Sequence, residues 1–328
     1  MNRAFLRWLV ILACLGLIAA LPYILPTILI NILTEITFFA LFAVTFNMLL
    51  GYGGLLSFGH SAYFGLGAYA LALIFKHLVG FPLLLAILMG GAVGGLGGIL
   101  IGALCVRMKG AYFSLLTLAF NQFLFAIAMK WRAVTGGDDG LAVVRPNLHL
   151  PGLGSINMYK TANVYYLVVA MAILSLWVLW HLTRTSFGNT IRSIKENEQR
   201  ADFIGHNVYL SKLSLYTVSA FFAGIAGSLY GFFMEFVSAA SMGLHLSTEV
   251  IFMAIIGGTG SFFGPILGSA VLVYFMDWVS RITDRWEFIL GVLFILLVMY
   301  VHRGLIGLIS PERIKKFFSG KRAGETSG

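Results

Sequence analysis

Apolar runs long enough to cross a lipid bilayer recur along almost the whole 328-residue chain. Because the bilayer core holds no water to satisfy backbone polar groups, such a chain crosses it as α-helices of about 20 residues each. Only 11% of the residues are charged, against about 25% in ordinary soluble domains. These features predict an all-α polytopic membrane protein and argue against a soluble globular fold.

The apolar runs predict ten candidate spans, several of them shorter than a straight span requires. They cover residues 8–30, 36–50, 61–76, 82–104, 111–129, 163–181, 213–234, 246–258, 263–281 and 286–302. The segment 246–258 can also be read as a re-entrant half-helix. We therefore expect about 8–10 transmembrane helices with re-entrant or short glycine-rich segments. They form a single domain over residues 1–310, followed by a basic tail at 311–328.

The distribution of basic residues indicates which side of the membrane each loop and terminus lies on. With both termini inside, 15 of the 22 Lys and Arg residues lie on the inner side and seven on the other. Basic residues of membrane proteins collect on the cytoplasmic side, so we expect cytoplasmic N- and C-termini. The net charge of +9 then reflects topology, and no nucleic-acid partner is expected.

Two glycine-rich stretches, residues 53–68 and 257–270, resemble each other. Each follows an apolar segment and opens a span rich in small residues. This similarity favours an internal duplication, as many transporters have, and glycine-rich helix packing is the alternative. A separate stripe, with glycine at every fourth position from 90 to 102, predicts close packing of helices within the chain.

The sequence lacks the motifs of several energy-converting and catalytic proteins. It contains no phosphate-binding loop, no zinc-protease motif and no paired cysteine motif. Ionisable residues fall near the ends of predicted spans, with Glu249 and His60 the closest to an interior position. Proton-driven carriers use a buried carboxylate or histidine relay, which this pattern does not predict. We expect no catalytic residue, no metal and no cofactor in this chain.

The segment from Thr183 to Asn207 is the most polar part of the chain. Glu196 precedes Arg200 by four residues in the favourable order. The apolar residues recur at intervals that suit one face of a helix, and they are Phe187, Ile191, Ile194, Ala201 and Ile204. Gly188 and Gly205 bracket the segment and predict its start and stop. The sequence thus predicts one amphipathic cytoplasmic helix over residues 188–205.

This amphipathic helix has two interpretations. It can lie flat on the inner leaflet, as amphipathic surface helices do, or it can dock a cytoplasmic protein. Its polar face carries Glu196, Glu198 and Asp202 beside Arg192, Lys195 and Arg200. Because membrane-surface helices are more often basic throughout, the mixed charge favours protein docking.

Residues 186–231 resemble the permease subunits of branched-chain amino acid ABC importers, of the LivM type. That family has the pattern GRALRAIRENExxAxxxGI in the loop that faces its ATPase. The matching positions are Gly188, Arg192, Ile194, Glu196, Asn197, Glu198, Ala201 and Gly205. Further segments, at residues 47–69, 108–120, 135–141 and 256–270, match in order, so the resemblance covers nearly the whole chain. His206, Asn189 and Asp139 depart from the family pattern.

The resemblance implies the rest of a transport machine. A LivM-type permease pairs with a second, LivH-like permease, and two ATPase subunits each bind one coupling helix. A periplasmic binding protein delivers the substrate, and ATP and Mg²⁺ are bound by the ATPase subunits. In this chain residues 188–205 are then the coupling helix, in which Glu196, Glu198 and Arg200 set the register with the ATPase. The resemblance places the protein in the bacterial inner membrane.

Polar residues within apolar spans are candidates for the translocation path, because such groups usually face protein or water rather than lipid. These candidates are Asn47, Ser57, His60, Asn121 and Gln122. Hydrogen bonding between helices is the alternative for each of them.

The predicted outer loop, residues 130–162, contains the sequence TGGDDGL. A turn built on Gly136, Gly137 and Gly140 explains it better than a calcium loop, because the other spaced oxygen ligands are missing. The binding protein could contact this loop.

The resemblance thus implies import of leucine, isoleucine and valine by alternating access, and it leaves alternatives open. Relatives with the same permease pattern import urea, short amides or aromatic acids. An ion-coupled secondary transporter is a second class, against which the missing ionisable relay counts. A membrane-embedded enzyme or scaffold is a third class, and it would require a metal bound by Asp138, Asp139 and His149.

Overall fold

The computed structural model describes residues 20–150 and 154–283, together with positions 285, 288, 289, 291, 292, 295 and 305. Within this part the chain forms a helical bundle with only four strands of two or three residues. Five helical segments are long and apolar enough to cross a membrane. Two further apolar helices are shorter. The predicted all-α polytopic membrane fold is confirmed.

The helices follow in this order. They are α1 (Thr27–Asn47), α2 (His60–His77), α3 (Leu83–Cys105), α4 (Ala111–Lys130), α5 (Arg132–Thr135), α6 (Thr161–Arg184), α7 (Ser186–Glu196), α8 (Glu198–Phe203), α9 (Val208–Met234), α10 (Leu244–Gly257) and α11 (Gly264–Ser280). A π-helical turn at Met48–Tyr52 extends α1. Short 3₁₀ helices lie at Gly137–Asp139 and Ala239–Met242.

The predicted boundary between the first two spans is wrong. Helix α1 runs without interruption through residues 31–35, where the sequence analysis placed a break. The polar side chains there do not interrupt it, since the Thr34 and Thr37 hydroxyls each donate to a carbonyl four residues back, at 2.7 Å. The break lies instead at Pro26, which cannot donate a backbone hydrogen bond and disfavours a helical residue before it. Residues 8–19 and most of the predicted span 286–302 lie outside the described residues.

Helix α9 lies at the centre of the bundle and packs on α2 and α3. The glycine stripe of α3 faces it, as predicted for packing within the chain. A Cβ atom on Gly224 of α9 would lie 2.6 Å from the Gly90 carbonyl oxygen and 3.2 Å from Gly94 Cα. Glycine is therefore required for the observed approach of the two backbones, which small residues permit in membrane bundles.

The loop between α4 and α6 lies at one end of the bundle, which we call the distal end. Gly136, Gly137 and Gly140 all have positive φ (77°, 61° and 64°) and build the predicted turn. Strand β1 (Leu141–Ala142) pairs antiparallel with β4 (Phe236–Val237), and β2 (Leu148–Leu150) pairs with β3 (Gly154–Ile156). Arg145 and Glu235 form an ion pair at 2.8 Å that fixes this loop to the end of α9.

Candidate functional site

The amphipathic segment forms two helices and not the single helix predicted. Helices α7 and α8, which we call the helix pair, are separated by Asn197 in an extended conformation (φ −158°, ψ 104°). The Asn197 side chain accepts a hydrogen bond from the Arg200 amide at 2.9 Å and so caps α8. Asparagine favours such caps because its side chain satisfies an amide at the helix start. The break turns α8 relative to α7.

Glycine marks only one boundary of the helix pair. Gly205 follows α8 with φ +91° and ends it, as predicted. Gly188 does not begin the first helix, since α7 starts at Ser186, after its N-cap residue Thr185. Gly188 is buried against the backbone of Thr183. Its lack of a side chain lets α7 fold closely against the end of α6.

Apolar side chains fix the helix pair to the bundle. Ile191, Ile194 and Ala201 are 2%, 4% and 1% exposed. The polar residues Arg192, Ser193, Glu196, Gln199, Arg200 and Asp202 are exposed. Two apolar side chains stand among them, with Phe203 89% and Ile204 66% exposed. The sequence analysis grouped Ile204 with the apolar face and did not single out Phe203.

Glu198 does not project freely from the helix pair. Its carboxylate lies 3.0 Å from the Lys212 ammonium on α9 and 3.3 Å from that of Lys109 in the α3–α4 loop. Burial raises the pKa of Glu198, but the hydrogen bonds and charges of Lys212 and Lys109 outweigh this effect and hold the pKa below its ordinary value of 4.5. The carboxylate thus joins three elements beside a polar cleft of about 600 Å³.

Basic side chains connect α7 to the π-helical turn. The Lys195 ammonium donates to the Gly51 carbonyl at 2.6 Å, and the Arg192 guanidinium lies 5.0 Å from the centre of the Tyr52 ring. Asn47, the residue before the turn, contacts the second glycine-rich stretch, because its side-chain amide donates to the Ser261 carbonyl at 3.0 Å. The two similar glycine-rich stretches are residues 53–68 and 257–270, and Asn47 belongs to neither of them. Their common origin stays a prediction.

Four of the five candidate path residues lie deep in the bundle. Asn47, Ser57, His60 and Asn121 are 0% exposed, whereas Gln122 is exposed on α4. His60 Nε2 lies 2.9 Å from the Thr45 hydroxyl, which itself donates to the Phe42 carbonyl.

Asn121 belongs to a second buried polar cluster. Its side-chain oxygen accepts from the Ser61 hydroxyl at 3.1 Å, and the Ser247 hydroxyl lies 2.7 Å from that of Ser61. The side-chain oxygen of Asn47, Nδ1 of His60 and Nδ2 of Asn121 have no hydrogen-bond partner. Buried polar atoms without a hydrogen-bond partner are rare and costly. Their presence at three candidate path residues shows that polar groups are retained here inside an apolar bundle.

The structure reveals a cavity that the sequence analysis missed. It has a volume of about 610 Å³ and lies between α1, α9, α10 and α11, with Glu35, Glu249 and Asp277 in its wall. His245 lies 3.0 Å from the carboxylate of Glu249. The sequence analysis placed most of these groups at separate span ends, whereas the fold brings them together. Within the described residues no group of His, Cys, Asp and Glu side chains could hold a metal ion.

Apolar helices long enough to span a bilayer, together with an exposed polar helix pair, indicate a multi-pass membrane protein. The family described as "Branched-chain amino acid transport system / permease component" matches residues 28–299, and the chain belongs to this family. It is a transport permease component rather than an enzyme, as predicted.

The chain is also similar in sequence to individual permease proteins of bacteria. The chain is 26% identical to the high-affinity branched-chain amino acid transport system permease protein LivM of Salmonella typhimurium and to that of Escherichia coli. Each match covers 97% of this chain and 78% of the relative. It is 28% identical to the nucleoside ABC transporter permease protein NupC of Lactococcus lactis, over 44% of this chain and 47% of the relative. No solved structure matches the chain.

Proposed function

We propose that this chain is a permease subunit of an ATP-driven importer for branched-chain amino acids in the bacterial inner membrane. It pairs with a second, LivH-like permease and receives substrate from a periplasmic binding protein. Two ATPase subunits bind ATP and Mg²⁺, and this chain holds no cofactor of its own. Its two termini and the helix pair lie in the cytoplasm, and transport proceeds by alternating access.

The exposed apolar side chains of the helix pair carry this proposal. A membrane-surface helix would bury its apolar face in lipid, but the apolar face of α7 packs on the bundle through Ile191 and Ile194. Phe203 and Ile204 project from a polar surface of mixed charge instead. Exposed aromatic and aliphatic groups surrounded by polar residues are typical of protein-binding hot spots. The occupant we propose is an ATPase subunit.

The coupling role is proposed for the eight positions that match the family pattern and for Arg200, which lies among them. They are Gly188, Arg192, Ile194, Glu196, Asn197, Glu198, Arg200, Ala201 and Gly205. Ile194 and Ala201 anchor the helix pair to the bundle. Asn197 separates its two helices. Glu196 and Arg200 are exposed and can contact a partner. Asn47, Ser57, His60 and Asn121 are proposed to line the closed translocation path, and Gln122 to face it from α4.

Branched-chain amino acids are favoured as the substrate because the LivM relatives match nearly the whole chain. The match to the nucleoside permease covers less than half of it. Urea, short amides, aromatic acids and nucleosides are the competing substrates. The binding protein is a different chain and selects among them.

Co-purification from the native membrane in mild detergent tests the assembly. We expect a second permease and ATPase subunits to accompany this chain, and the reconstituted complex with its binding protein to take up leucine only with ATP. The control is the same complex with its ATPase phosphate-binding lysine replaced, which should not transport. A chain that purifies alone and transports in response to an ion gradient would overturn the proposal. Uptake of uridine in place of leucine would overturn the substrate assignment alone.

A further inference from the structure

The distal cavity lies at the end of the bundle opposite the helix pair. Glu35 in its wall precedes Tyr52, which contacts the helix pair, by 17 residues of α1 and the π-helical turn. At 1.5 Å per residue this separates the two positions by about 25 Å along the helix. Tyr230 and Met234, near the end of α9, line the same cavity. It therefore opens toward the side from which an imported solute arrives, if the helix pair is cytoplasmic.

The cavity wall is apolar with a few converging polar groups. Its apolar part contains Phe39, Tyr230, Leu246, Met253, Val273 and Met276. The volume of about 610 Å³ falls in the range of small-molecule sites, which combine such walls with few polar groups. The cavity therefore has the size and lining expected of a site for a small, partly apolar solute.

The charged groups of the wall give the cavity a negative character. Asp277 is paired with Arg281 at 2.9 Å, and Glu249, only 7% exposed, is paired with His245. Glu35 has no ion pair within the described part of the chain. Carboxylates in a largely apolar wall are costly unless a positive charge accompanies them. Glu35 thus gives the cavity an acceptor for a cationic group.

The cavity also adjoins the buried polar cluster. The 3₁₀ helix Ala239–Met242 contributes Ala240 and Ser241 to the cavity wall, while its last carbonyl oxygen, that of Met242, lies 3.2 Å from the Ser61 hydroxyl oxygen. Ser61 in turn donates to Asn121, whose Nδ2 is fully buried and unpartnered. A solute in the cavity would thus be one 3₁₀ turn away from the candidate path residues.

We propose that this cavity is the entry vestibule of the permease and binds the ammonium group of an amine-bearing solute at Glu35. The apolar wall receives the solute's aliphatic side chain. The proposal rests on the proposed function for the direction of entry, but the binding itself does not require a partner chain. It gives the permease its own preference for amines over neutral sugars or nucleosides.

Protection of an introduced cysteine tests this binding. In a chain with Cys14→Ser and Cys105→Ala, Ser280→Cys places a thiol at the exposed rim of the cavity. Isobutylamine is the probe and isobutanol its neutral counterpart. We expect isobutylamine to protect the thiol from alkylation at a concentration about tenfold lower than isobutanol requires, since an ion pair that contributes about 1.4 kcal/mol corresponds to a tenfold difference in affinity.

Variants at Glu35 and a control thiol complete the experiment. Glu35→Gln should abolish protection, and Glu35→Asp should restore part of it. Asp139→Cys, exposed in the distal loop and outside the cavity, should react at the same rate with and without amine in every variant, which also reports folding. Equal protection by isobutanol, or protection that survives Glu35→Gln, would overturn the ammonium site. No protection by either probe would overturn the vestibule, whereas a failed co-purification would bear only on the proposed assembly.

Discussion

At the scale of single residues, Gly224 tests how closely the central helices must pack. Gly224→Ala would place a Cβ atom 2.6 Å from the Gly90 carbonyl oxygen, so α3 and α9 must separate. We expect a loss of about 1–3 kcal/mol in the free energy of unfolding, the usual cost of overpacking. Thermal denaturation in detergent measures it. Gly95→Ala is the matched control, because its Cβ would lie at an ordinary 3.4 Å from Phe221 and should leave the midpoint nearly unchanged.

The ion pair of Glu198 predicts a pH dependence. Because the folded state lowers the pKa of Glu198, the ion pair stabilises the protein above the ordinary pKa of 4.5, and this stabilisation is lost as pH falls through the lower folded pKa. Glu198→Gln leaves the buried Lys212 ammonium without its carboxylate, so at pH 7 we expect a loss of about 1–3 kcal/mol.

A pH series of unfolding midpoints checks this prediction. The difference between the parent and Glu198→Gln should stay constant from pH 8 to pH 5 and shrink below about pH 4, where the carboxylate protonates. Glu196→Gln is the control, because Glu196 is exposed and forms no ion pair with another described residue. A difference that does not vary with pH would mean that Glu198 acts through packing and not through charge.

At the scale of elements, the helix pair separates what the sequence predicts from what it cannot. The periodicity of Ile191 and Ile194 correctly predicts a buried face in α7. Beyond Asn197 it holds for the buried Ala201 but fails for Ile204, because the extended conformation of Asn197 reorients α8 and leaves Ile204 exposed. Asparagine is compatible with a helix interior and with a cap. Asn197 acts as a cap in the structure, where Ala201 packs on the bundle. This packing is not visible in the local sequence.

Phe203 is the side chain on which docking of the ATPase should depend most. It is 89% exposed at the end of α8, and aromatic side chains dominate interface hot spots. We expect Phe203→Ser to weaken binding of the ATPase subunits at least about tenfold. Membrane insertion should be unchanged because the side chain is not buried against the described part of the chain. Titration of ATPase subunits onto the reconstituted permease pair measures the affinity.

Gln199→Ala is the matched control for docking, since Gln199 is an exposed residue of the same helix. It should bind ATPase subunits nearly as well as the parent. Equal affinity of Phe203→Ser and the parent would assign the helix pair to the membrane surface instead.

At the scale of the whole molecule, the cavity shows the limit of sequence reasoning. Long apolar runs predict most helices, because a helix that crosses the bilayer needs about 20 consecutive, mostly apolar residues. Glu35, Glu249 and Asp277 lie on three helices, and over 240 positions separate the first from the last. Their convergence depends on how α1, α10 and α11 pack, for which no periodicity exists. The sequence analysis therefore predicted no convergent ionisable group, although the residues were visible individually.

A continuous set of contacts links the two ends of the molecule. Lys195 on α7 holds the π-helical turn through the Gly51 carbonyl. Asn47, just before the turn, holds the loop between α10 and α11 through the Ser261 carbonyl. These two helices form part of the cavity wall. A π-helical turn within such a chain is typical of functional sites, so motion of the helix pair can reach the cavity through it.

Removing either contact should uncouple ATP hydrolysis from uptake. We expect Lys195→Met and Asn47→Ala to keep ATPase binding and basal hydrolysis but to lower substrate uptake per ATP about tenfold, within the usual range of coupling energies. Parallel assays of phosphate release and leucine uptake in proteoliposomes measure the ratio. Ser193→Ala is the control, since among the described residues the Ser193 hydroxyl bonds only within α7, to the Asn189 carbonyl at 3.1 Å. If both variants keep the parent ratio, motion reaches the cavity by another route, and the π-helical turn serves only to fold α1 against the helix pair.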